Sequence, residues 1–396
     1  MSASTPLQGV RVVDFTHVLA GPACAYFLGL LGARVVKVEG PRGDAIRHRG
    51  GTDGRAAARG LSTAYCTQAG GKETVSLDLD TAEGRATMER LLADADVLVE
   101  NHRPATLRRL GLHEDETLTR HPRLVHCAMT GYGRGGPLEE APAYDVNIQA
   151  ACGLMEMTGS ADGPPTRVGA PVIDYATALA AAFAIATALY ERERTGRGTF
   201  IDVSMLETAH TLMASTITDT LATGNEPRRR GNAANSRSPA AGSFPCREGV
   251  LSLGVNEEGQ FLALADALGR ADWRTDERFA TREARDRNAG ALVTELEAAL
   301  ARHSAREWEG LLLAAGVPCA RLRTLSESLA EEQVHARGYL QRAGPDGPIV
   351  PTLPFRMGHR PAPAPRCTPR EIGADNRRHG LRPRPDDPEN VNGPGA

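Results

Sequence analysis

Lysine is almost absent from this chain of 396 residues: Lys37 and Lys72 are the only two among its 46 basic residues. Arginine takes its place nearly everywhere, as codon bias in a GC-rich genome would produce, so a retained lysine is of interest. The formal net charge is -3. This charge excludes a general attraction to nucleic acid or to an anionic membrane surface.

Cysteine is scarce as well, and its spacing excludes two kinds of site. The seven cysteines are an odd number and include no Cys-x-x-Cys pair. We therefore expect neither a disulfide framework nor a zinc or other metal site, and the pattern fits a reducing cytoplasm. The first nine residues lack a basic region followed by an apolar stretch, so we expect no signal peptide.

Long apolar runs are also missing. The longest, residues 176–189, contains Thr177 and Thr187 and is short for a membrane span. We predict a buried helix there instead. The rest of the chain has the mixture of apolar and charged residues of a globular protein, and its length suits about two domains.

Short β-branched segments alternate with helical segments through the first half of the chain. Segments 11–15 and 33–39 have the composition of strands, and the compact apolar segment 23–31 between them has that of a helix. Further strands are predicted at 74–79, 96–99, 123–129 and 200–203. The alternation predicts an α/β fold in which helices cover both faces of a mostly parallel, Rossmann-like open sheet.

Composition divides the chain into four parts. Residues 1–210 are predicted to form the first part of the large α/β domain, and residues 211–245, rich in Gly, Asn, Arg, Ser and Pro, a linker. Residues 246–325 are predicted to form a smaller α+β domain. Residues 326–396, with many Pro and Arg, are expected to return to the large domain and to end in a tail.

Asp174 stands immediately ahead of the apolar run, in the first turn of the predicted helix. A carboxylate is tolerated there and can be aimed at a ligand, because a helix N-terminus favours negative charge. Taken alone, the local sequence favours an N-cap, since aspartate is common at that position. The function of Asp174 therefore depends on the wider pattern.

Polar loops follow three of the predicted strands, at residues 17–22, 39–47 and 100–104. Ligands of open α/β sheets bind at the carboxyl ends of the strands. Asn101, His102 and Arg103 are suited to contact phosphate or adenine groups, although surface arginines are more often simply solvated. His17 is equally consistent with a structural histidine.

Residues 131–136 match the pattern Gly-x-Gly-x-x-Gly and follow a predicted strand. A dinucleotide site also requires a helix that opens directly after the glycines, because the N-terminus of that helix holds the pyrophosphate. Here Pro137 follows, and no amphipathic helix begins. We therefore predict a flexible loop over a substrate rather than an NAD site, with a plain turn as the alternative.

Taken in order, these segments resemble the class III CoA-transferases, the CaiB/BaiF family, whose members include formyl-CoA transferase and carnitine CoA-transferase. The resemblance runs from residue 7 to about residue 363. No single piece is specific, but their order and spacing are. The matching pieces are 7–15 with 20–22, 31–39 with 43–44 and Arg47, Lys72 with 77–79, 100–112, 131–133 with 136–137, 144–145, 158–159, 163–165, Asp174 and 195–198.

The resemblance implies a mechanism in which Asp174 attacks the thioester of an acyl-CoA donor and forms aspartyl mixed-anhydride and aspartyl-CoA intermediates. It implies that amides near Gly133 and Gly135 stabilise oxyanions and that Tyr144 and Asp145 border the acyl pocket. CoA and acyl-CoA are implied as substrates, with no permanently bound cofactor. The implied CoA contacts are Val18, Leu19, Ala20, Leu77, Asn101, His102, Arg103 and Arg109.

The family fold implies a ring-shaped subunit that interlocks with a second copy in a homodimer. The resemblance also implies a cytoplasmic protein with no membrane partner.

Some positions of this chain depart from the family pattern. His102 and Ala105 replace a common phenylalanine and a common glycine, and glycine precedes Lys72 where asparagine is frequent. Residues 236–244 lack the glycine-rich run of formyl-CoA transferase, which argues against the oxalate enzyme itself.

Two alternatives remain. α-Methylacyl-CoA racemases share the fold but use a histidine in a Gly-His-Asp-like motif, and this chain has Tyr144 at that position. Tyrosine is a poor base at neutral pH, because its ordinary pKa is about 10. A non-catalytic CoA-binding protein would bind CoA without turnover, and the retained Asp174 argues against it.

The substrates are less defined. Arg228, Arg229 and Arg230 would favour a dicarboxylate such as succinate if they lay near the acyl pocket, but three arginines in a linker are more often solvated. Succinyl-CoA is therefore one candidate donor, and the acceptor is a carboxylic acid.

Overall fold

The computed structural model describes residues 5–358 and 360–381, so the predicted tail at 382–396 lies outside the described residues. The chain divides into two compact units. The larger takes the described parts of residues 1–154, 167–225 and 333–396, and the smaller takes residues 155–166 and 226–332. These divisions do not coincide with the predicted limits at 210, 245 and 325. The excursion 155–166 was not anticipated, because its partners lie far away in sequence: the amide of Gly231 donates to the carbonyl of Gly159.

A parallel sheet of six strands forms the centre of the larger unit, in the order β3-β2-β1-β4-β5-β6. Its strands are rich in valine and largely buried, as in a sheet covered on both faces. The α/β class and the parallel sheet were therefore predicted correctly. The strands are β1 (Arg11–Phe15), β2 (Arg34–Glu39), β3 (Glu73–Ser76), β4 (Val97–Glu100), β5 (Val125–Thr130) and β6 (Phe200–Ser204).

Helices of the larger unit pack on both faces of this sheet and bury apolar cores there. The helices of both units, in chain order, are α1 (Ala20–Leu30), α2 (Gly54–Ala58), α3 (Thr63–Ala69), α4 (Ala82–Ala93), α5 (Pro104–Leu110), α6 (Glu114–Arg120), α7 (Asp145–Ala151), α8 (Leu154–Met157), α9 (Val172–Thr195), α10 (Met205–Leu212), α11 (Ala214–Thr223), α12 (Glu258–Ala267), α13 (Arg282–Arg287), α14 (Ala289–Leu300), α15 (Ala305–Ala314), α16 (Leu325–Leu329) and α17 (Glu332–Ala336). Helices α12 to α16 belong to the smaller unit.

The topology creates a crevice at one point of the sheet. Strand β1 pairs with β2 on one side and with β4 on the other, so the chain changes direction across the sheet at β1. The loops that leave the carboxyl ends of β1 and β4 diverge there, and ligands of open α/β sheets bind at this switch point.

Helix α9 has two different faces. Among the residues that the structure describes, it is the one helix long and apolar enough to cross a membrane. Ala178, Ala181 and Ile185 are fully buried in the core that α9 shares with α1. Phe183 and Tyr190 are 76% and 67% exposed within this chain. The predicted buried helix is therefore correct for one face only.

The smaller unit has its own core. A three-stranded antiparallel sheet contains β7 (Ala241–Pro245), β8 (Val250–Gly254) and β9 (Cys319–Arg321). Its apolar core includes the fully buried side chains of Trp273, Phe279 and Leu296. In the larger unit, β10 (Leu340–Arg342) and β11 (Ile349–Pro351) form a separate antiparallel pair.

Both lysines are buried beneath the carboxyl end of β1. The Lys72 Nζ donates to Asp14 Oδ2 at 2.7 Å and to the Pro22 carbonyl at 2.8 Å. The Lys37 Nζ donates to the Thr16 carbonyl at 2.9 Å. Burial opposes ionisation of Asp14, but the two ammonium groups outweigh it and hold the pKa of Asp14 below its usual value. This ionic network fixes the start of the loop that follows β1.

Candidate active site

A cavity of about 350 Å³ lies in the larger unit at the carboxyl ends of β1, β4 and β5. Its walls come from residues 17–20 after β1, from 101–103 and Thr106 after β4, from 129–131 at the end of β5, and from Glu139 and 141–144. Asp174 and Met205 complete the lining. The cavity therefore stands at the predicted edge of the sheet, with Asp174 in its wall.

Asp174 lies in the first turn of α9, but it is not the N-cap of that helix. The N-cap is Pro171, which has no side chain able to accept the first amides. Asp145 of α7 supplies the acceptor: its Oδ2 lies 2.7 Å from the Ile173 nitrogen and 3.3 Å from the Asp174 nitrogen. The capping function thus belongs to Asp145, and the carboxylate of Asp174 is left for the cavity.

Asp145 is itself held from behind. Its Oδ1 accepts from Gln149 Nε2 at 2.5 Å, and Gln149 Oε1 accepts from the Val168 nitrogen at 2.8 Å. Asp145 and Gln149 are both buried. Together they connect α7 to the segment that leads into α9, and so they fix the backbone that carries Asp174.

The environment of Asp174 makes it an unusually basic carboxylate. Burial, and then the negative charge of Asp145, raise the pKa of Asp174 to about 7. Its protonated and ionised forms are therefore both populated near neutral pH. A nucleophile or a general base must be ionised, so chemistry that depends on Asp174 should increase as the pH rises through this range.

His102, which stands where the family commonly has phenylalanine, packs in this structure as an aromatic ring. Its ring stacks on Phe15 with centroids 4.1 Å apart, and the His17 ring lies 5.1 Å away. Burial, with a smaller effect of His17, lowers the pKa of His102 to about 3, so the ring is neutral at pH 7. Arg103 follows on the cavity wall, and no ion pair of its guanidinium occurs among the described residues.

The structure brings most of the predicted site residues to this cavity and leaves others outside. The residues in its lining are Val18, Leu19, Ala20, Asn101, His102, Arg103, Tyr144 and Asp174. Asp145 does not border the cavity as predicted, because its carboxylate is turned toward the amides of α9. Asn101 lines the cavity, but its side-chain amide is bonded to the backbone of His17.

Four predicted residues stand elsewhere. Leu77 is 3% exposed and belongs to the apolar core under the sheet, and the Arg109 side chain pairs with Asp80 on the surface. The amides of Gly133 and Gly135 donate to Thr130 Oγ1 at 3.0 Å and to Glu139 Oε2 at 2.9 Å. Neither glycine lines the cavity. Both amides are thus bonded within the glycine loop of this structure, and their function toward an oxyanion stays a prediction.

Sequence analysis missed three polar residues of the cavity, Thr106, Thr130 and Glu139. Thr106 lies two residues inside α5, a helix that was not predicted, and Thr130 ends β5, one residue beyond the predicted strand 123–129. Glu139 follows the glycine loop, and its proximity to the cavity depends on the fold of residues 133–144. If the last residue of each strand were counted as a candidate site residue, Thr130 would have been found, but not Thr106 or Glu139.

The chain belongs to CoA-transferase family III, whose model matches residues 7–376. The acetyl-CoA:oxalate CoA-transferase of Acetobacter aceti is 36% identical over 354 residues, which is 89% of each chain. The succinate–glutarate CoA-transferase of Agrobacterium fabrum is 33% identical over 371 residues, 92% of each. The crystal structure of a CaiB/BaiF family protein from Brucella suis matches with a TM-score of 0.82 at 32% identity, covering 94% of this chain and 97% of that one.

These similarities confirm the resemblance found in the motifs. The chain is an enzyme that transfers CoA, and its substrates are CoA thioesters and carboxylic acids.

The contact between Asp145 and Asp174 generates a prediction about pH. Asp145→Asn keeps an oxygen that can accept from the Ile173 amide but removes the negative charge that raises the pKa of Asp174. The acid limb of the pH profile of kcat/KM should move to lower pH by roughly half to one unit, because burial of Asp174 remains. The measurement is the pH dependence of CoA transfer. Asp202→Asn, which removes a carboxylate outside the cavity, is the control. An unmoved acid limb in Asp145→Asn would contradict the assignment of that limb to Asp174.

Proposed function

We propose that this enzyme moves CoA from an acyl-CoA donor to a dicarboxylic acid through covalent intermediates on Asp174. The observation that carries the proposal is the carboxylate of Asp174 in the wall of the switch-point cavity, free of any capping function and with a pKa of about 7. The names of the two relatives pair acetyl-CoA with oxalate and succinate with glutarate, so each includes at least one dicarboxylate. Succinyl-CoA is the first donor to test.

In the first step the ionised Asp174 attacks the thioester carbonyl. The carbon–sulfur bond breaks, CoA leaves as a thiolate, and an aspartyl-acyl anhydride remains. The thiolate then attacks the aspartyl carbonyl, and the donor acid leaves as a carboxylate. A carboxylate is a weak nucleophile but a good leaving group from an anhydride, so the covalent route divides one difficult exchange into easier steps. The raised pKa makes the ionised Asp174 a better nucleophile than an ordinary aspartate.

The acceptor reverses this sequence. Its carboxylate attacks the aspartyl-CoA thioester, the released thiolate attacks the acceptor's carbonyl in the new anhydride, and Asp174 leaves as a free carboxylate. Val18, Leu19, Ala20 and His102 are proposed to contact CoA from the cavity wall. The guanidinium of Arg103, which has no ion pair among the described residues, is proposed to meet a phosphate of CoA or the second carboxylate of the acid.

The triple-arginine segment adds no support for this substrate class. Arg229 pairs with Glu156 within the smaller unit at 2.5 Å, while Arg228 and Arg230 are exposed.

We infer a reducing, cytoplasmic location as well, supported by the seven free cysteines.

The function is tested by exchange assays with acyl-CoA donors and carboxylic acid acceptors. Wild-type protein should transfer CoA from succinyl-CoA to oxalate or glutarate, and less well to the monocarboxylate acetate. Asp174→Asn should lose at least about a thousandfold in kcat, because its amide cannot form the anhydride. CoA binding, followed by calorimetry, should survive in this variant.

The exposed carboxylate of Asp162 in the smaller unit provides a matched control. Asp162→Asn should keep full activity. Exchange that persists in Asp174→Asn would overturn the mechanism. Deuterium uptake at the α-carbon of a branched acyl-CoA, without any CoA exchange, would show an isomerase instead.

We also infer that two copies interlock as a homodimer, as the family fold implies. The exposed side chains of Phe183 and Tyr190 on α9 support this inference, because large apolar side chains at such exposure mark interaction surfaces. A second copy would cover them. Light scattering should give the mass of a dimer, and Phe183→Glu should shift it toward the monomer. A wild-type protein of monomeric mass would contradict this inference.

A further inference from the structure

Val18 adopts a backbone conformation that valine avoids. Its φ is +67°, in the left-handed region where the branched Cβ meets the backbone, which strains the residue. Glycine would adopt this conformation freely. Val18 stands in the wall of the cavity that contains Asp174. A strained residue at such a place requires neighbours that hold it there.

Two side chains from different strands hold this segment. The carboxylate of Asp44, which lies after β2, accepts the Val18 amide at 3.0 Å. The side-chain amide of Asn101, which lies after β4, binds both backbone groups of His17. Its Oδ1 accepts from the His17 nitrogen, and its Nδ2 donates to the His17 carbonyl, each at 2.9 Å. Asn101 therefore holds the chain just before Val18, much as a neighbouring strand would.

Asp44 is itself fixed in place. Its Oδ1 accepts from the Ile46 amide at 3.1 Å, and its Oδ2 lies 3.8 Å from the Nζ of Lys37. Lys37 also donates to the carbonyl of Thr16 at 2.9 Å. Asp44 and Lys37 are both buried. Residues 16, 17 and 18 are thus each bonded to a side chain from a neighbouring strand or from the loop that follows one.

We propose that Asn101 and Asp44 are positioning residues for the transfer reaction. Together they form a clamp on residues 17 and 18, which presents Val18, Leu19 and Ala20 to acyl-CoA in a single conformation. That acyl-CoA is the ligand of these residues rests on the proposed function, whereas the clamp itself can be tested without any ligand. Asn101 thereby acts on its own chain and through Val18, rather than as a direct ligand of CoA.

Val18 allows a test that distinguishes an Asn101 that positions residues 17 and 18 from an Asn101 that only stabilises the fold. Asn101→Ala should lower kcat/KM by about 10- to 100-fold, with most of the loss in kcat, because small displacements of reacting groups are costly. Glycine accepts the left-handed conformation without strain, so Val18→Gly removes much of the need for the clamp. In the Val18→Gly background, Asn101→Ala should therefore cost less than about threefold, a strong non-additivity.

Two further variants sharpen the test. Asp44→Asn keeps an oxygen for the Val18 amide and should retain more activity than Asp44→Ala. Asn256→Ala is the control, because Asn256 bonds the Gly254 carbonyl in the smaller unit. It should leave kcat/KM unchanged.

Hydrogen–deuterium exchange gives a readout that needs no turnover. The amides of His17 and Val18 should be protected in the wild type and exchange at least about tenfold faster in Asn101→Ala, because the acceptor of the His17 amide is gone. Equal losses of activity from Asn101→Ala in both backgrounds would overturn the positioning function and leave the CoA-transfer proposal intact. If the wild type transfers no CoA, the proposed function fails, and unchanged exchange at these two amides would then overturn the clamp.

Discussion

The carboxylate of Asp145 at the N-terminus of α9 is the interaction on which the site depends. Helix α9 begins after a proline that cannot cap it, and the first amides would otherwise lack an acceptor. Asp145 reaches across from α7 and accepts from Ile173 and Asp174. The same contact places a buried negative charge beside Asp174. One group thus decides both where the carboxylate of Asp174 stands and how readily it ionises.

Buried charge has a similar function at the other side of the cavity. Two lysines, the only two in the chain, lie under the loop after β1 and bond Asp14, the Thr16 carbonyl and the Pro22 carbonyl. Removing a partner from such a network leaves an uncompensated charge, which typically costs 3–5 kcal/mol. Both strand-end loops and the start of α9 are therefore held by side chains from neighbouring elements. The cavity is built from segments that have little freedom to adjust.

The sheet could be predicted because its strands are short runs of valine and other β-branched residues separated by helices, a pattern that local sequence contains in full. Asp174 could be placed in the first turn of a helix for the same reason. The function of Asp145 could not, because the amides it accepts lie 28 and 29 positions away. The burial of Leu77 in the core and the pairing of Arg109 with Asp80 could not be predicted either, because both depend on neighbours from elsewhere in the fold.

The glycine loop shows a different limit. Its composition was recognised, but the direction of its amides depends on two side chains, Thr130 and Glu139, that take those donors for themselves. The family motifs indicated which residues belong to the site, and the structure shows how those residues are bonded to one another. Val18 illustrates both: the motif placed it at the cavity, but its left-handed backbone conformation could not be predicted from the sequence.

The most direct measurement of the central claim is trapping of the covalent intermediate. The protein would be incubated with succinyl-CoA, treated with hydroxylamine and digested for peptide mass spectrometry. Both lysines are buried and bonded, so acylation of lysine should contribute little background. The account predicts a hydroxamate at Asp174 that requires the acyl-CoA. A protein that transfers CoA at full rate with no modification at Asp174, or with the hydroxamate on another carboxylate, would contradict it.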